Sequence, residues 1–163
     1  DAVTVNPYLG LESIEPYMNY SDKGIVVLCR TSNPGSDWLQ KNAIDTVPVY
    51  ERVAQQVVQW NEDDQFVLVT GATYPEELGR VREIVGEMPL LVPGIGAQGG
   101  DLEAVLNNGL NKESAGLIIS SSREVLYAHE SGETPIDKSR ALRASGRVAG
   151  DTKKSINKII KNL

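Results

Sequence analysis

Five short apolar runs at nearly regular spacing constrain this chain more than any other feature. They read Ala2-Val3-Thr4-Val5, Ile25-Val26-Val27-Leu28-Cys29, Phe66-Val67-Leu68-Val69-Thr70, Leu90-Leu91-Val92 and Leu117-Ile118-Ile119. Each is nearly continuous in apolar residues rather than alternating, which is the pattern of a parallel strand covered on both faces. The runs start near positions 2, 25, 66, 90 and 117, so three of the four spacings are nearly equal. Each of those three is long enough for one strand, one helix and two loops. Only the second unit is longer, with an insertion across residues 31–48 rich in Ser, Asn, Pro and Gly.

Helical periodicity fills the segments between the runs. Val49, Val53, Val57 and Trp60 recur at i, i+4, i+8 and i+11. Leu78, Val81, Ile84 and Val85 form a second stripe behind Pro75, a residue suited to the first turn of a helix. Leu102, Val105 and Leu106 mark a short helix ahead of the stop signal Asn108-Gly109. Ile156, Ile159, Ile160 and Leu163 give a last amphipathic helix. Repeated strand–helix units imply a parallel sheet, either open and doubly wound or closed into a barrel. There is no internal sequence repeat and no low-complexity tract.

The 163 residues suffice for one domain with a sizeable core, and 40% apolar against 23% charged residues is an ordinary globular balance. No apolar run approaches the roughly 20 residues of a membrane helix, so no membrane partner is expected. The start of the chain does not resemble a signal segment. The single cysteine, Cys29, lies inside an apolar run and is expected to be buried and reduced, as in a cytoplasmic protein. A net charge of −6 argues against nucleic acid as a partner. Residues 138–163 nevertheless carry eight Lys and Arg against one acid, Asp151. This is expected to be the solvated side of a terminal helix rather than an anion or lipid surface.

The most informative loop is Pro93-Gly94-Ile95-Gly96-Ala97-Gln98-Gly99-Gly100-Asp101, set between a strand and a helix start. Glycines allow backbone N–H groups to close around an anion, and a helix N-terminus adds a favourable dipole. Gly94-x-Gly96-x-x-Gly99 also fits the dinucleotide fingerprint literally. However, the next strand closes in Ser120-Ser121-Ser122-Arg123 and lacks the acidic residue a nicotinamide site requires. That second loop offers hydroxyls, N–H groups and one guanidinium for a phosphate clamp. In (β/α)8 barrels the phosphate site is frequently built by the loops after strands 7 and 8. The five visible strands would then be 4 to 8, with three units upstream, close to the roughly 250 residues of the fold. Asp1 runs straight into a strand without an initiator methionine, so the chain reads as cut. The expected fold class is α/β, the C-terminal part of a TIM (β/α)8 barrel with about five parallel βα units. Residues 1–163 would form one partial domain, with residues 129–163 its terminal loop and helix. The structural alternative is a pair of ordinary tight turns.

These segments resemble orotidine 5'-phosphate decarboxylases. VPGIGAQGGD looks like their strand 7 phosphate loop, GLIISSSREVLYA like strand 8, LCRTSNPGS like the end of strand 5, and DAVTVNPYLG like strand 4 of the longer bacterial subgroup. The resemblance runs from Asp1 to about Ala128. It implies that Ser32 hydrogen-bonds the pyrimidine, that Gln98 reaches over the ligand to its phosphate, and that Arg123 pairs with the phosphodianion. Pro93, Gly94, Gly96 and Gly99 would belong to the loop beside the base and ribose phosphate. The ligands would be orotidine 5'-phosphate and uridine 5'-phosphate, with no metal or organic cofactor, and the full-length parent would be a homodimer.

The family's chemistry rests on a Lys-Asp-Lys-Asp array with a D-x-K-x-x-D motif at the end of strand 3. Here Asp151-Thr152-Lys153 supplies D-x-K, but Ile156 stands at the sixth position, a chance match in a basic segment. The expectation is therefore that no catalytic residue lies in this chain, and that it binds a phosphate-bearing ligand weakly without decarboxylating it. His129 is expected in a surface loop, Arg30 and Asp37 in a surface or lid role, and Trp38 and Trp60 over core edges. With one His and one Cys, no zinc spacing or Cys-His dyad arises. Two rival readings remain. One is a non-catalytic half-barrel module for nucleotide or sugar phosphate binding or for assembly. The other is a different sugar-phosphate barrel enzyme.

Overall fold

The computed structural model describes residues 1–96, 99–129 and 137–163. All five expected strands form, as β1 (Ala2–Val5), β2 (Gly24–Arg30), β5 (Phe66–Thr70), β6 (Leu90–Pro93) and β7 (Leu117–Ser120). They make one sheet in the order β1-β2-β5-β6-β7, and every pair is parallel. A doubly wound sheet reverses its strand order part-way, at the point where its ligand binds. Here each strand is added beyond the last on the same side, which is how one arc of a barrel grows.

The helices follow the same order. They include α3 (Val49–Trp60), α4 (Pro75–Val85), α5 (Leu102–Gly109) and α7 (Lys138–Ile160). Successive helices pack side by side, α3 on α4, α4 on α5, and α5 on α7. The core lies between them and the sheet, with Ile25, Val27, Phe66, Leu68, Leu90 and Val92 meeting Ala54, Val57, Leu78, Val81 and Val105. The α4 stripe is buried at Leu78, Val81 and Val85, as its spacing predicts, and Pro75 starts the helix. The α3 stripe is centred one residue later than expected, on Tyr50, Ala54 and Val57, with Val53 and Trp60 at its margins. The basic segment forms a 23-residue helix with no fully buried residue, whose half-buried Val148, Ile156 and Ile159 face inward. Leu163 falls outside that stripe and is exposed.

The first crossover is two 3-10 turns and the short α1 (Glu15–Met18), with Ile14 buried beneath them. The insertion is ordered rather than a bare loop. It holds α2 (Asp37–Gln40) and a hairpin of β3 (Ala43–Ile44) and β4 (Val47–Pro48). Asp45 and Thr46 link its strands with both φ values positive, the geometry of a tight hairpin turn. Trp38 lies on α2 and is 75% exposed, so the expected core-edge role holds for Trp60 and not for Trp38.

Cys29 is buried and unpaired, and burial pushes its thiol up to about 12. Next to it β2 carries a bulge: Leu28 pairs with Val69, but Arg30 pairs with Thr70. The extra residue re-aims the strand end, so Cys29 and Arg30 both face the helices. Arg30 is fully buried there, which corrects its expected surface role.

At the opposite end of the sheet, Arg82 of α4 donates to four backbone carbonyls. Its Nε reaches Gly109 O at 2.7 Å, Nη1 reaches Gly86 O at 2.6 Å and Met88 O at 2.7 Å, and Nη2 reaches Gly116 O at 2.9 Å. One guanidinium thus ties the ends of α4 and α5 to the starts of β6 and β7. Burial lowers its pKa from the ordinary arginine value, partly offset by Glu87. Replacing Arg82 by Met keeps the apolar stem but strips these carbonyls of their donor. We expect a loss of about 3 kcal/mol, read as a lower denaturation midpoint in urea with an unchanged slope.

Candidate functional site

In a parallel sheet every strand ends on the same side, so the loops after β2, β5, β6 and β7 gather at one rim. The loop after β6 is shaped by its glycines. Gly94, Gly96 and Gly99 have φ values of 107°, 80° and 78°, a region that residues with a Cβ rarely enter. Gly100 N donates to Gly94 O at 3.1 Å and Gly99 N to Gly96 O at 2.8 Å, so the loop folds back on itself. Gly100 sits so tightly that a Cβ there would lie 2.6 Å from Ala72 Cβ. Asp101 closes the loop by capping α5, its Oδ1 accepting from Glu103 N at 2.9 Å and Ala104 N at 3.2 Å.

The loop after β7 meets it. Pro93, Gly94, Ile95, Ser120, Ser121, Ser122 and Arg123 line one cleft of about 100 Å³. It opens at the start of α6 (Ser122–Leu126), and Ser121 Oγ lies 3.2 Å from Ile95 O across it. Arg123 is exposed, and its guanidinium makes no ion pair or hydrogen bond with the described residues. A small polar cleft with an available guanidinium and glycine-shaped backbone can hold a phosphate-sized anion. Of the residues singled out from sequence, Pro93, Gly94 and Arg123 line this cleft, with Gly96 on its lip and Gly99 further along the loop. Gln98 lies outside the described residues.

Ser32 follows β2, two strands along the rim from β6. Its hydroxyl makes no hydrogen bond with the described residues, and its carbonyl accepts from Thr73 Oγ1 at 3.3 Å. Gly71, at the end of β5, presses against it: a Cβ on Gly71 would lie 2.7 Å from Ser32 N, Cα and Cβ. Sequence reasoning missed Gly71, because nothing local marks a glycine whose purpose is a contact with a distant part of the chain. Glu124 was missed as well. Its Oε2 accepts from Ser121 Oγ at 2.8 Å, and the side chain lies against Gly96. His129 is half-buried rather than on the surface, with its Nδ1 enclosed and unpaired among the described residues.

A sequence model of the orotidine 5'-phosphate decarboxylase / HUMPS family matches residues 1–134. The chain belongs to this family. Among curated relatives, the orotidine 5'-phosphate decarboxylase of Dechloromonas aromatica (strain RCB) is 51% identical over 158 residues, covering 96% of this chain and 56% of the relative. Among solved structures, Leishmania donovani OMP decarboxylase superposes with a TM-score of 0.80 at 36% identity, covering 98% of this chain and 57% of that one. The UMP synthase of the same organism gives a TM-score of 0.82 at 38% identity, covering 98% and 33% respectively. The chain therefore spans little more than half the length of the decarboxylases it matches, and the family's TIM barrel is the fold of which its five-stranded sheet is a part.

In this decarboxylase-family cleft the Glu124 carboxylate opposes any bound anion at close range. Glu124→Gln should tighten binding of inorganic phosphate by about fivefold, equivalent to about 1 kcal/mol for removing one like charge near solvent. Isothermal titration at low salt reads the change, and unchanged or weaker binding would place the anion away from this cleft.

Proposed function

We propose that this chain is the phosphate- and pyrimidine-binding part of an orotidine 5'-phosphate decarboxylase, which converts orotidine 5'-phosphate to uridine 5'-phosphate and carbon dioxide in pyrimidine synthesis. The observation that carries the reading is the β6–β7 cleft, whose Arg123 has no partner among the described residues, in a chain 51% identical to a relative of that name. In this account the substrate phosphodianion sits in the cleft and Arg123 pairs with it through two parallel N–H donors. Gln98 reaches across the phosphate from the glycine loop. Pro93, Gly94 and Gly96 wall the ribose phosphate, and Gly99 belongs to the same loop. Ser32, two strands along the rim from β6, offers its hydroxyl to the pyrimidine.

These contacts bind and orient; the bond-breaking groups lie elsewhere. Decarboxylation leaves an electron pair on C6 of the pyrimidine, which needs a cation beside it and a proton delivered to it. The family's Lys/Asp array serves that role, and we assign it to barrel strands other than these five. The D-x-K at Asp151 and Lys153 lies on α7, with Asp151 paired to Lys154 at 3.3 Å. It is a surface helix pair.

The sheet edges support the same division. Among the described residues β1 and β7 each pair on one side only, and Ile118 of β7 is 51% exposed. We infer that the remaining strands of a closed barrel cover them, because unpaired edges and bare apolar faces invite association. Tyr8 and Leu9, after β1, and Trp38 are largely exposed. They fit the homodimer expected of the complete enzyme, acting in the cytoplasm without metal or organic cofactor. No described helix is long and apolar enough to cross a membrane.

The purified 163-residue chain should show no turnover of orotidine 5'-phosphate, while the complete barrel should; measurable turnover by the chain alone contradicts the assignment of the array. In the complete barrel, Arg123→Ala should weaken uridine 5'-phosphate about 100-fold, the loss of charge-assisted bonds. Ser32→Ala should weaken uridine 5'-phosphate more than inorganic phosphate. Equal weakening of both ligands would remove the pyrimidine assignment.

A further inference from the structure

The loop around Ser32 is built on a buried charge at the end of β2, Arg30, which does not line the cleft. Arg30, swung toward the helices by the β2 bulge, is fully buried, and the insertion wraps around its guanidinium. Nη2 donates to Asp37 Oδ1 at 2.7 Å, and Nη1 donates to Ser36 Oγ, to Thr31 O at 3.3 Å and to Gln40 Oε1 at 3.4 Å. Below, it stacks on the Tyr74 ring at 3.6 Å, with Glu77 Oε1 at 3.9 Å. Both aromatic and acid belong to the turn and first helical residues after β5, so the arginine joins that unit to the insertion.

A second tier of hydrogen bonds carries the order to the loop around Ser32. Gln40 Oε1 accepts from Thr31 N at 2.9 Å, and Gln40 Nε2 donates to Thr31 Oγ1 at 2.9 Å. Ser36 Oγ donates to Asn33 O at 2.7 Å. The residues on either side of Ser32 are thus fixed to Arg30 directly or through one partner, while the Ser32 hydroxyl stays uncommitted among the described residues. Behind it, Gly71 N donates to Arg30 O at 2.6 Å and leaves no room for the loop to retreat.

We propose that Arg30 is a positioning residue for pyrimidine recognition: its guanidinium, clamped between α2 and the start of α4, sets where Ser32 presents its hydroxyl. A single buried ammonium could not replace it, because only the planar fork reaches Ser36, Asp37 and Gln40 together while stacking on Tyr74. The inference rests on Ser32 contacting the base, and it extends that reading to a specificity-determining network outside the ligand's reach.

The test compares uridine 5'-phosphate with ribose 5-phosphate, which lacks the base, as ligands of the complete barrel. Arg30→Lys should cut affinity for uridine 5'-phosphate about 10- to 100-fold, the usual effect of a small displacement. Affinity for ribose 5-phosphate should stay within about twofold. Arg30→Lys combined with Ser32→Ala should be no worse than Ser32→Ala alone, because both remove one interaction. Gln40→Ala, at a half-buried surface position, gives the same selective loss on a smaller scale and decides the matter if the lysine variant does not fold. If Ser32→Ala loses the preference for the nucleotide while neither Arg30→Lys nor Gln40→Ala does, the positioning role is overturned and the pyrimidine contact stands. Equal weakening of both ligands by the Arg30 and Gln40 variants also overturns it, as plain structural damage. If Ser32→Ala itself spares the preference, the pyrimidine contact falls and the positioning role with it.

Discussion

The structure depends first on a rule of connectivity: a strand that pairs in parallel with its predecessor must return through a crossover, so every strand leaves the sheet at the same end. With the order β1-β2-β5-β6-β7 unbroken by any reversal, the exit loops line up along one rim in chain order. The two glycine- and serine-rich loops follow adjacent strands, and that adjacency makes one cleft of segments that a whole strand–helix unit separates in sequence. The Ser32 loop stands two strands along the same rim. Strand order alone therefore sets the β6–β7 cleft and the Ser32 loop on one rim, before any side chain is considered.

Two buried arginines mark the two ends of this arrangement and do different work. Arg82 sits where strands begin and directs its donors at backbone carbonyls, holding helix ends to strand starts. Arg30 sits where strands finish and divides its donors among the side chains and backbone of one loop. The first is a matter of stability, the second of where a functional hydroxyl stands. This matches the division of labour in barrels, where the strand-start face carries stability and the strand-finish face carries function.

Much of the framework was legible in sequence. Near-continuous apolar runs are strands covered on both sides, and Pro75 and Asp101 mark helix starts by local chemistry. Glycines 94, 96 and 99 were legible too, since a backbone with positive φ selects them directly. What could not be read depends on contacts between distant segments. The bulge at Cys29 leaves no local mark, so Arg30 looked like a surface charge at a strand end; a lone charge ending an apolar run was the available signal for a buried ion pair. Gly71 matters only because Ser32 lies against it. The Asp45–Thr46 hairpin escaped notice because Thr46 stands where such turns favour Gly.

The central claim is that the β6–β7 cleft and the Ser32 loop serve one ligand together. A crystal structure of the complete protein with uridine 5'-phosphate tests this most directly. The expected result is the phosphate between Gly94, Ser121 and Arg123, with a base heteroatom within hydrogen-bond distance of Ser32 Oγ. Phosphate density elsewhere on the rim, or a base turned away from Ser32 with the phosphate in place, would contradict it.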